Sequence, residues 1–280
     1  MRKIVLLSLI GAVLTGCSAP VSPPAETSVP ETAVHTDAPV QSEQPKISLD
    51  GLSTKAVGWG FVRKKGSAPE VPLWQQETLA RFGAYYLGDT SQKEIYLTFD
   101  EGYENGYTEK ILDTLKEANV PAAFFVTGPY LEGERELIER MINEGHILGN
   151  HTLHHPNLAE SGDETIREEL DGLSEKCRAL YGIDMKYVRP PEGAYSERSL
   201  AVTQSLGYTT VLWSHAYKDW DVNYQAGAEN AVKQVTPYFH NGEILLLHAV
   251  SKDNAAALGD IISSAREQGY EFKSLDELKK

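Results

Sequence analysis

From residue 95 onward, short apolar runs recur along the chain, at 95–99, 122–126, 146–149, 186–188, 208–213, 243–247 and 270–272. Short apolar runs bounded by turn formers fit strands buried on both faces. Between most of them the apolar spacing changes to three and four, the period of a helix face. Ile111, Leu112 and Leu115 predict a helix over 108–118, and Leu137, Met141 and Ile142 another over 133–144. The strongest stripe, Ile166, Leu170, Leu173, Cys177 and Leu180, predicts a helix over 163–181. Weaker helical patterns cover 196–206, 226–236 and 254–268. Gly145, Gly182, Gly207, Gly242 and Gly269 stand where helices should stop. Strand and helix alternation predicts an α/β fold with a parallel sheet, and about seven repeats suggest an irregular (β/α)7 barrel.

The first third of the chain follows different rules. Arg2 and Lys3 precede the apolar stretch "IVLLSLIGAVL", which is too short to span a bilayer, and "LTGC" at 14–17 follows. That arrangement resembles a bacterial lipoprotein signal, with cleavage before Cys17 and lipids on its thiol; two chains would give firm anchoring. Residues 18–47 hold six of the fourteen prolines and almost no large apolar residue, the composition of a disordered linker. Residues 48–93 are rich in aromatics and predict an extension with one short helix, packed on the domain at 94–276. The expected location is outside the cytoplasmic membrane, on its outer face. Cys177, the second cysteine, lies on the apolar stripe of its helix and reads as a buried apolar residue. A net charge of −14 argues against a nucleic-acid partner.

Several strand runs end in chemistry. Asp100 and Glu101 follow the first, His151 the third, Arg189 the fourth and His248 the sixth, while Asp219 trails the fifth. The C-terminal strand ends of a β/α barrel converge on one face, so these side chains would meet in one pocket. In "GNHTLHHP" (149–156), His151 and His155 stand four apart, which on a helical turn would aim both imidazoles at a divalent metal. A surface pair is the simpler reading of that spacing alone. In "YVRPPEGAYS" (187–196), two prolines make a rigid turn after Arg189, for which a carboxylate in the pocket is a natural partner. His248 ends the buried run "EILLLH", and Asp219 in "KDWD" is a candidate to orient its ring.

"TFDEGYENG", "HTLHHP", "RPPEG", "KDW" and "LLLH" occur in the order and spacing of the five motifs of the polysaccharide deacetylases, the NodB-homology fold, which they resemble. The resemblance covers residues 94 to about 275. "YLTFDEGYENGYTEKIL", together with "GWGFVRKKG" and "FGAYYLGD" in the extension, looks closest to the branch that deacetylates muramic acid in peptidoglycan and makes the δ-lactam of spore cortex. The resemblance implies that Asp100 is the general base. It implies that His151 and His155 hold zinc or another divalent ion, with Glu101 at the place of a third ligand. Arg189 would tune Asp100, and His248 would be the general acid, oriented by Asp219. Trp220 and Leu246 would wall the acetyl pocket, with Glu192 and Gly193 on the turn beside it. A backbone N–H near Glu192 would complete an oxyanion hole.

Two positions depart from the family pattern. Glu101 replaces the usual second aspartate, and its extra methylene moves the carboxylate. Glu192 replaces an aromatic or basic residue, and its charge would repel a lactyl carboxylate unless it is paired or points away. The expected function is hydrolysis of N-acetyl groups on peptidoglycan amino sugars by a monomer, with N-acetylmuramic acid favoured. The alternatives are a deacetylase of N-acetylglucosamine polymers and a lipoprotein of the same fold that binds glycan without turnover. A glycosidase using Asp100 would leave the two histidines unexplained.

Overall fold

The computed structural model describes residues 48–278; the signal segment, Cys17 and the proline-rich linker lie outside the described residues. The extension forms β1 (Val57–Gly58), β2 (Val62–Lys64), β3 (Ser67–Glu70) and α1 (Leu73–Arg81). The chain then alternates through β4 (Glu94–Glu101), α2 (Thr108–Ala118), β5 (Ala122–Val126), α3 (Gly128–Gly133), α4 (Arg135–Asn143) and β6 (Ile147–Asn150). Next come α5 (Asp163–Tyr181), β7 (Tyr187–Val188), β8 (Ala194–Tyr195), α6 (Glu197–Ser205) and β9 (Thr209–Thr210). The last elements are α7 (Ala228–Val235), β10 (Glu243–His248), α8 (Lys252–Glu267) and β11 (Glu271–Phe272).

Each of the seven apolar runs contributes a strand to one sheet, in the order β10-β4-β5-β6-β7-β9, with β11 against the start of β4. Every pairing in it is parallel. Ile95, Leu97, Phe99 and Phe124 of the central strands pack against Ile111, Leu112 and Leu115 of α2 and Leu258, Ile261 and Ile262 of α8. Local signals agree with these elements. Asp163 and Glu164 open α5 at the positive end of its dipole, and Gly182 ends it at φ 71°. Ser196 caps α6 by a reciprocal hydrogen-bond box with Ser199. Cys177 is buried in the core, and burial raises its thiol pKa to about 11, consistent with a small apolar filler.

The differences from expectation lie where the chain leaves regular pairing. The helix expected over 133–144 is α4, which starts at Arg135, and a separate short helix that was not expected, α3, precedes it; Glu134 between them has φ −106° and ψ 50°, which are not helical. The run 208–213 forms a ladder only at Thr209–Thr210, because the extension enters there. Tyr85 donates its N–H to Thr210 O at 2.9 Å and accepts from Leu212 N–H at 2.7 Å. Single bridges at Tyr85–Val211, His215–Leu245 and Leu87–Glu243 span the gap between β9 and β10. The barrel is therefore curled and closed by bridges instead of a full ladder. Glu243 is fully buried at this seam, accepting hydrogen bonds from His215 Nδ1 at 2.7 Å and from the His240 N–H at 3.1 Å.

Gly88 and Gly242 touch backbone to backbone across the same seam, with Gly88 N–H donating to Gly242 O at 2.7 Å. A Cβ on Gly242 would sit 2.7 Å from the Gly88 carbonyl carbon, at a φ of +69° that already disfavours side chains. Neither obstacle can rotate away. Gly242→Ala should therefore cost about 2 kcal/mol of stability and lower Tm by roughly 4–8 °C, read by thermal unfolding against wild type.

Candidate active site

β4 and β10 run side by side in register, so Asp100 and His248 are direct neighbours at the strand ends. β5 and β6 continue the row: His151 N–H donates to Val126 O at 3.0 Å, and Arg189 N–H to Asn150 O at 3.0 Å. Parallel pairing thus brings four strand ends to one mouth. There they line a cavity of about 580 Å³, bordered by Asp100, His151, His155, His248, Tyr103 and Trp220. A second lobe of about 430 Å³ shares Asp100, both metal-candidate histidines, Trp220 and His248, and adds Glu192, Trp213 and Leu246.

Arg189 has no exposed surface. Its Nη1 donates to Asp100 Oδ1 at 2.8 Å and to Thr98 Oγ1 at 2.9 Å. Its Nε and Nη2 donate to the carbonyls of Val211 at 3.1 Å and Leu212 at 3.3 Å. The Phe125 ring lies 4.1 Å from the guanidinium. Burial works against ionising Asp100, but the Arg189 charge and hydrogen bond outweigh it, aided by His151 and His248, and lower its pKa. A carboxylate that stays ionised at neutral pH therefore faces the cavity.

Across from it, His248 Nδ1–H donates to Asp219 Oδ1 at 2.8 Å. Asp219 Oδ2 also accepts from the His248 N–H at 2.8 Å and from Asn254 Nδ2 at 2.6 Å. Asp219 is buried and reaches the cavity only through the ring. Burial opposes protonation of His248, yet the Asp219 charge and hydrogen bond, with Asp100 adding, raise its pKa. Its Nε2 is left for the cavity.

His151 and His155 do converge, with ring centroids 4.9 Å apart and planes at 74°. They do so without the helical turn that their spacing suggested. Thr152 and His155 hold positive φ values of 72° and 61°. Thr152 N–H donates to Asn150 Oδ1, and His155 N–H to Thr152 Oγ1, each at 2.9 Å. Gly128 comes so close that a Cβ there would lie 2.5 Å from Leu153 O. His154 also borders the cavity, but its Nδ1 is taken up by Glu169 at 2.8 Å.

Nδ1 of His151 donates to Arg189 O at 2.8 Å, which fixes the tautomer and leaves the Nε2 lone pair 3.7 Å from Asp100 Oδ2. Burial lowers its pKa to about 4, so the ring is neutral, the form that binds metal. This donor set fits a divalent ion held by two imidazoles, with the non-coordinating nitrogen of His151 anchored on a carbonyl.

Glu101 does not join them. Successive residues of a strand face opposite ways, so Glu101 at the end of β4 turns from the cavity that Asp100 lines. It is fully buried, and neither oxygen has a hydrogen-bond partner among the described residues. Burial, with the nearby charges of Glu104 and Asp100, pushes its carboxyl pKa well above the usual range. No cluster of three metal-ligating side chains exists among the described residues. Glu101, expected at the place of a third ligand, thus stands apart from the two histidines in this structure.

The other pocket candidates divide. Trp220 and Leu246 line the cavity as expected, and Glu192 lines the second lobe from an exposed position at φ 59°. Its carboxylate forms no ion pair among the described residues. Gly193 lies beneath the lobe, where a Cβ would meet the Trp213 ring at 2.8 Å. Tyr103, Trp213, Thr98 and Asn254 carry no sequence signal of their place at the site beyond the position of Tyr103 beside Asp100. Their roles depend on contacts between distant segments.

Comparison with known proteins agrees with this fold. Residues 87–211 match the polysaccharide deacetylase family. The chain is 46% identical over 231 residues to the peptidoglycan-N-acetylmuramic acid deacetylase PdaA of Bacillus subtilis, covering 82% of this chain and 88% of that protein. The solved structure of Bacillus subtilis PdaA, a family 4 carbohydrate esterase, matches with a TM-score of 0.79 and 44% identity, over 81% of this chain and 98% of that one. A peptidoglycan-N-acetylglucosamine deacetylase of Bacillus cereus is 32% identical over 199 residues, 70% of this chain and 71% of that protein. A curled parallel sheet with an Asp–Arg pair and an Asp–His pair at its mouth, and these likenesses, place the chain in the polysaccharide deacetylase family.

Proposed function

We propose that this protein removes the N-acetyl group from amino sugars of peptidoglycan, with N-acetylmuramic acid the favoured residue. The observation that carries the reading is the opposed pair at the cavity, an Asp100 carboxylate paired with Arg189 and a His248 whose hold on its proton Asp219 strengthens. The muramic acid preference is supported by the likeness to the Bacillus subtilis enzyme of that specificity. The N-acetylglucosamine alternative draws on the more distant relative.

The acetamide sits with its methyl toward Trp220 and Leu246. Asp100 takes a proton from water as the water oxygen bonds to the carbonyl carbon. His248 Nε2 then gives its proton to the sugar nitrogen as the C–N bond breaks, releasing acetate and a free amine. Each proton transfer is worth about two to four orders of magnitude. When bound, a divalent ion such as zinc at His151 and His155 supplies carbonyl polarisation and an acidified water. On muramic acid the freed amine lies beside the lactyl carboxyl, the pair that closes a δ-lactam, as in spore cortex. The protein acts as a monomer, exported and held on the outer face of the cytoplasmic membrane by lipids on Cys17, with residues 18–47 as its tether. Glu101 turned from the cavity favours a second reading, a glycan-binding lipoprotein without turnover.

Incubating glycan strands with the chain from residue 48, with zinc or with chelator, separates the two by mass spectrometry. Loss of one acetyl per modified sugar is expected, with a further water lost where a lactam closes. Binding without mass change under any added divalent ion would overturn hydrolysis. Asp100→Asn and His248→Ala should each lower turnover by about 10²–10⁴-fold while leaving the circular dichroism spectrum unchanged.

The pH profile tests the His248 assignment. Asp100 sets the acid limb, below the usual carboxylate range, and deprotonation of His248 sets the alkaline limb, above its ordinary 6.5. Asp219→Asn removes the charge that retains the proton. The alkaline limb should then move to lower pH, with roughly tenfold loss of kcat/KM on that limb per pKa unit moved.

The metal reading predicts that Glu101→Gln leaves affinity for zinc, measured by competition with a chelating dye, within about threefold of wild type. His151→Ala should weaken it by roughly 10- to 100-fold or more.

A further inference from the structure

The extension does more than cover the barrel, because one of its side chains reaches the backbone that builds the second lobe. β1 pairs antiparallel with β8, Val57 opposite Tyr195 and Gly58 opposite Ala194. β8 is the chain immediately after the Glu192–Gly193 turn. The next residue of the extension, Trp59, donates its backbone N–H to Gly193 O at 3.1 Å. Its indole Nε1–H donates to Trp213 O at 2.8 Å.

Three successive carbonyls are thereby claimed at the end of the β9 run. Those of Val211 and Leu212 accept from Arg189, and that of Trp213 accepts from Trp59. The Trp213 ring lies 5.7 Å from the Arg189 guanidinium. It packs on Gly193 so tightly that a Cβ there would meet it at 2.8 Å, and Trp59 Cβ at 3.0 Å. Trp59 itself is nearly buried and packed on the rings of Phe61, at 6.0 Å, and Tyr86, at 5.1 Å. It is fixed on its own side and ties together the Glu192–Gly193 turn and the backbone of Trp213. Those two segments supply Glu192 and Trp213 to the lobe that also holds Asp100, Trp220, Leu246 and His248.

We infer that Trp59 is a positioning residue for deacetylation, which sets the width of the acyl-binding lobe by joining the Glu192–Gly193 turn to the backbone of Trp213. The inference rests on the proposed reading that this lobe takes the acyl group and Asp100 activates the water. Trp59 touches neither substrate nor reacting atoms; it acts through Trp213 and the turn. Loosening the tie lets the lobe widen, so discrimination against a longer acyl group is lost before turnover is.

The test compares peptide-free glycan strands carrying N-acetyl or N-propionyl groups, using the full chain and its Trp59→Phe and Trp59→Ala variants. The ratio of kcat/KM for the two acyl groups does not depend on how much of a preparation is folded, so loss of stability alone leaves it unchanged. One methylene in a snug pocket is worth about 10- to 200-fold in such a ratio. Trp59→Phe keeps a ring and loses the indole N–H, and should lower the acetyl preference about fivefold; Trp59→Ala should come close to abolishing it. A ratio equal to wild type in both variants overturns the inference. Asp100→Asn, run beside them, separates the two readings. Full turnover by that variant defeats the base assignment, while a changed ratio in the Trp59 variants still supports the tie.

Discussion

Arg189 carries a full charge with no exposed surface, and the site is organised around compensating it. Removing an ion from water costs several kcal/mol even after relaxation, so a lone buried guanidinium would not persist. Here it is met by one carboxylate, one hydroxyl and two carbonyls, with the rings of Phe125 and Trp213 beside it. Those partners come from β4, β5 and the segment after β9. The ion pair can form only when the sheet has curled far enough to bring the end of β7 across to β4, and the guanidinium is satisfied only when the residues after β9 lie there as well. The same curling closes the barrel through Tyr85 and His215. Fold and ion pair are therefore coupled, and the Asp100 charge is a consequence of closure.

The seven strands were legible because parallel strands buried on both faces must be apolar throughout, and because glycine marks the helix ends between them. The convergence of Asp100, His151, Arg189 and His248 followed from that topology alone, as did Asp219 behind His248. What escaped the sequence is of a different kind. β1 and β8 have two residues each, too short for any period to show. Their register sets Val57 against Tyr195 and Gly58 against Ala194, separations of 138 (195 − 57) and 136 (194 − 58) residues. No hydrophobic pattern reports a contact at that range.

The His151–His155 turn escaped for another reason. Its geometry depends on positive φ at Thr152, a β-branched residue that rarely adopts it, and on hydrogen bonds to the Asn150 and Thr152 side chains that hold it there. Spacing suggested the right neighbours through the wrong local structure. A helical turn and a strained loop can both bring residues four apart together, and here it is the loop that leaves Nδ1 of His151 on the Arg189 carbonyl.

Asp100 and Glu101 show how one strand keeps adjacent carboxyls in different states. Alternation sends one toward a guanidinium and the other into a buried space near Tyr130 and Glu104. The first loses its proton readily and the second keeps it, since burial without a cation penalises the charged form. If both faced the cavity, their repulsion would raise the pKa of at least one. With Glu101 neutral and turned away, Asp100 answers to Arg189 with little opposition from its neighbour. The Asp100–Arg189 pair is therefore intact beside a glutamate that stands apart from the two histidines.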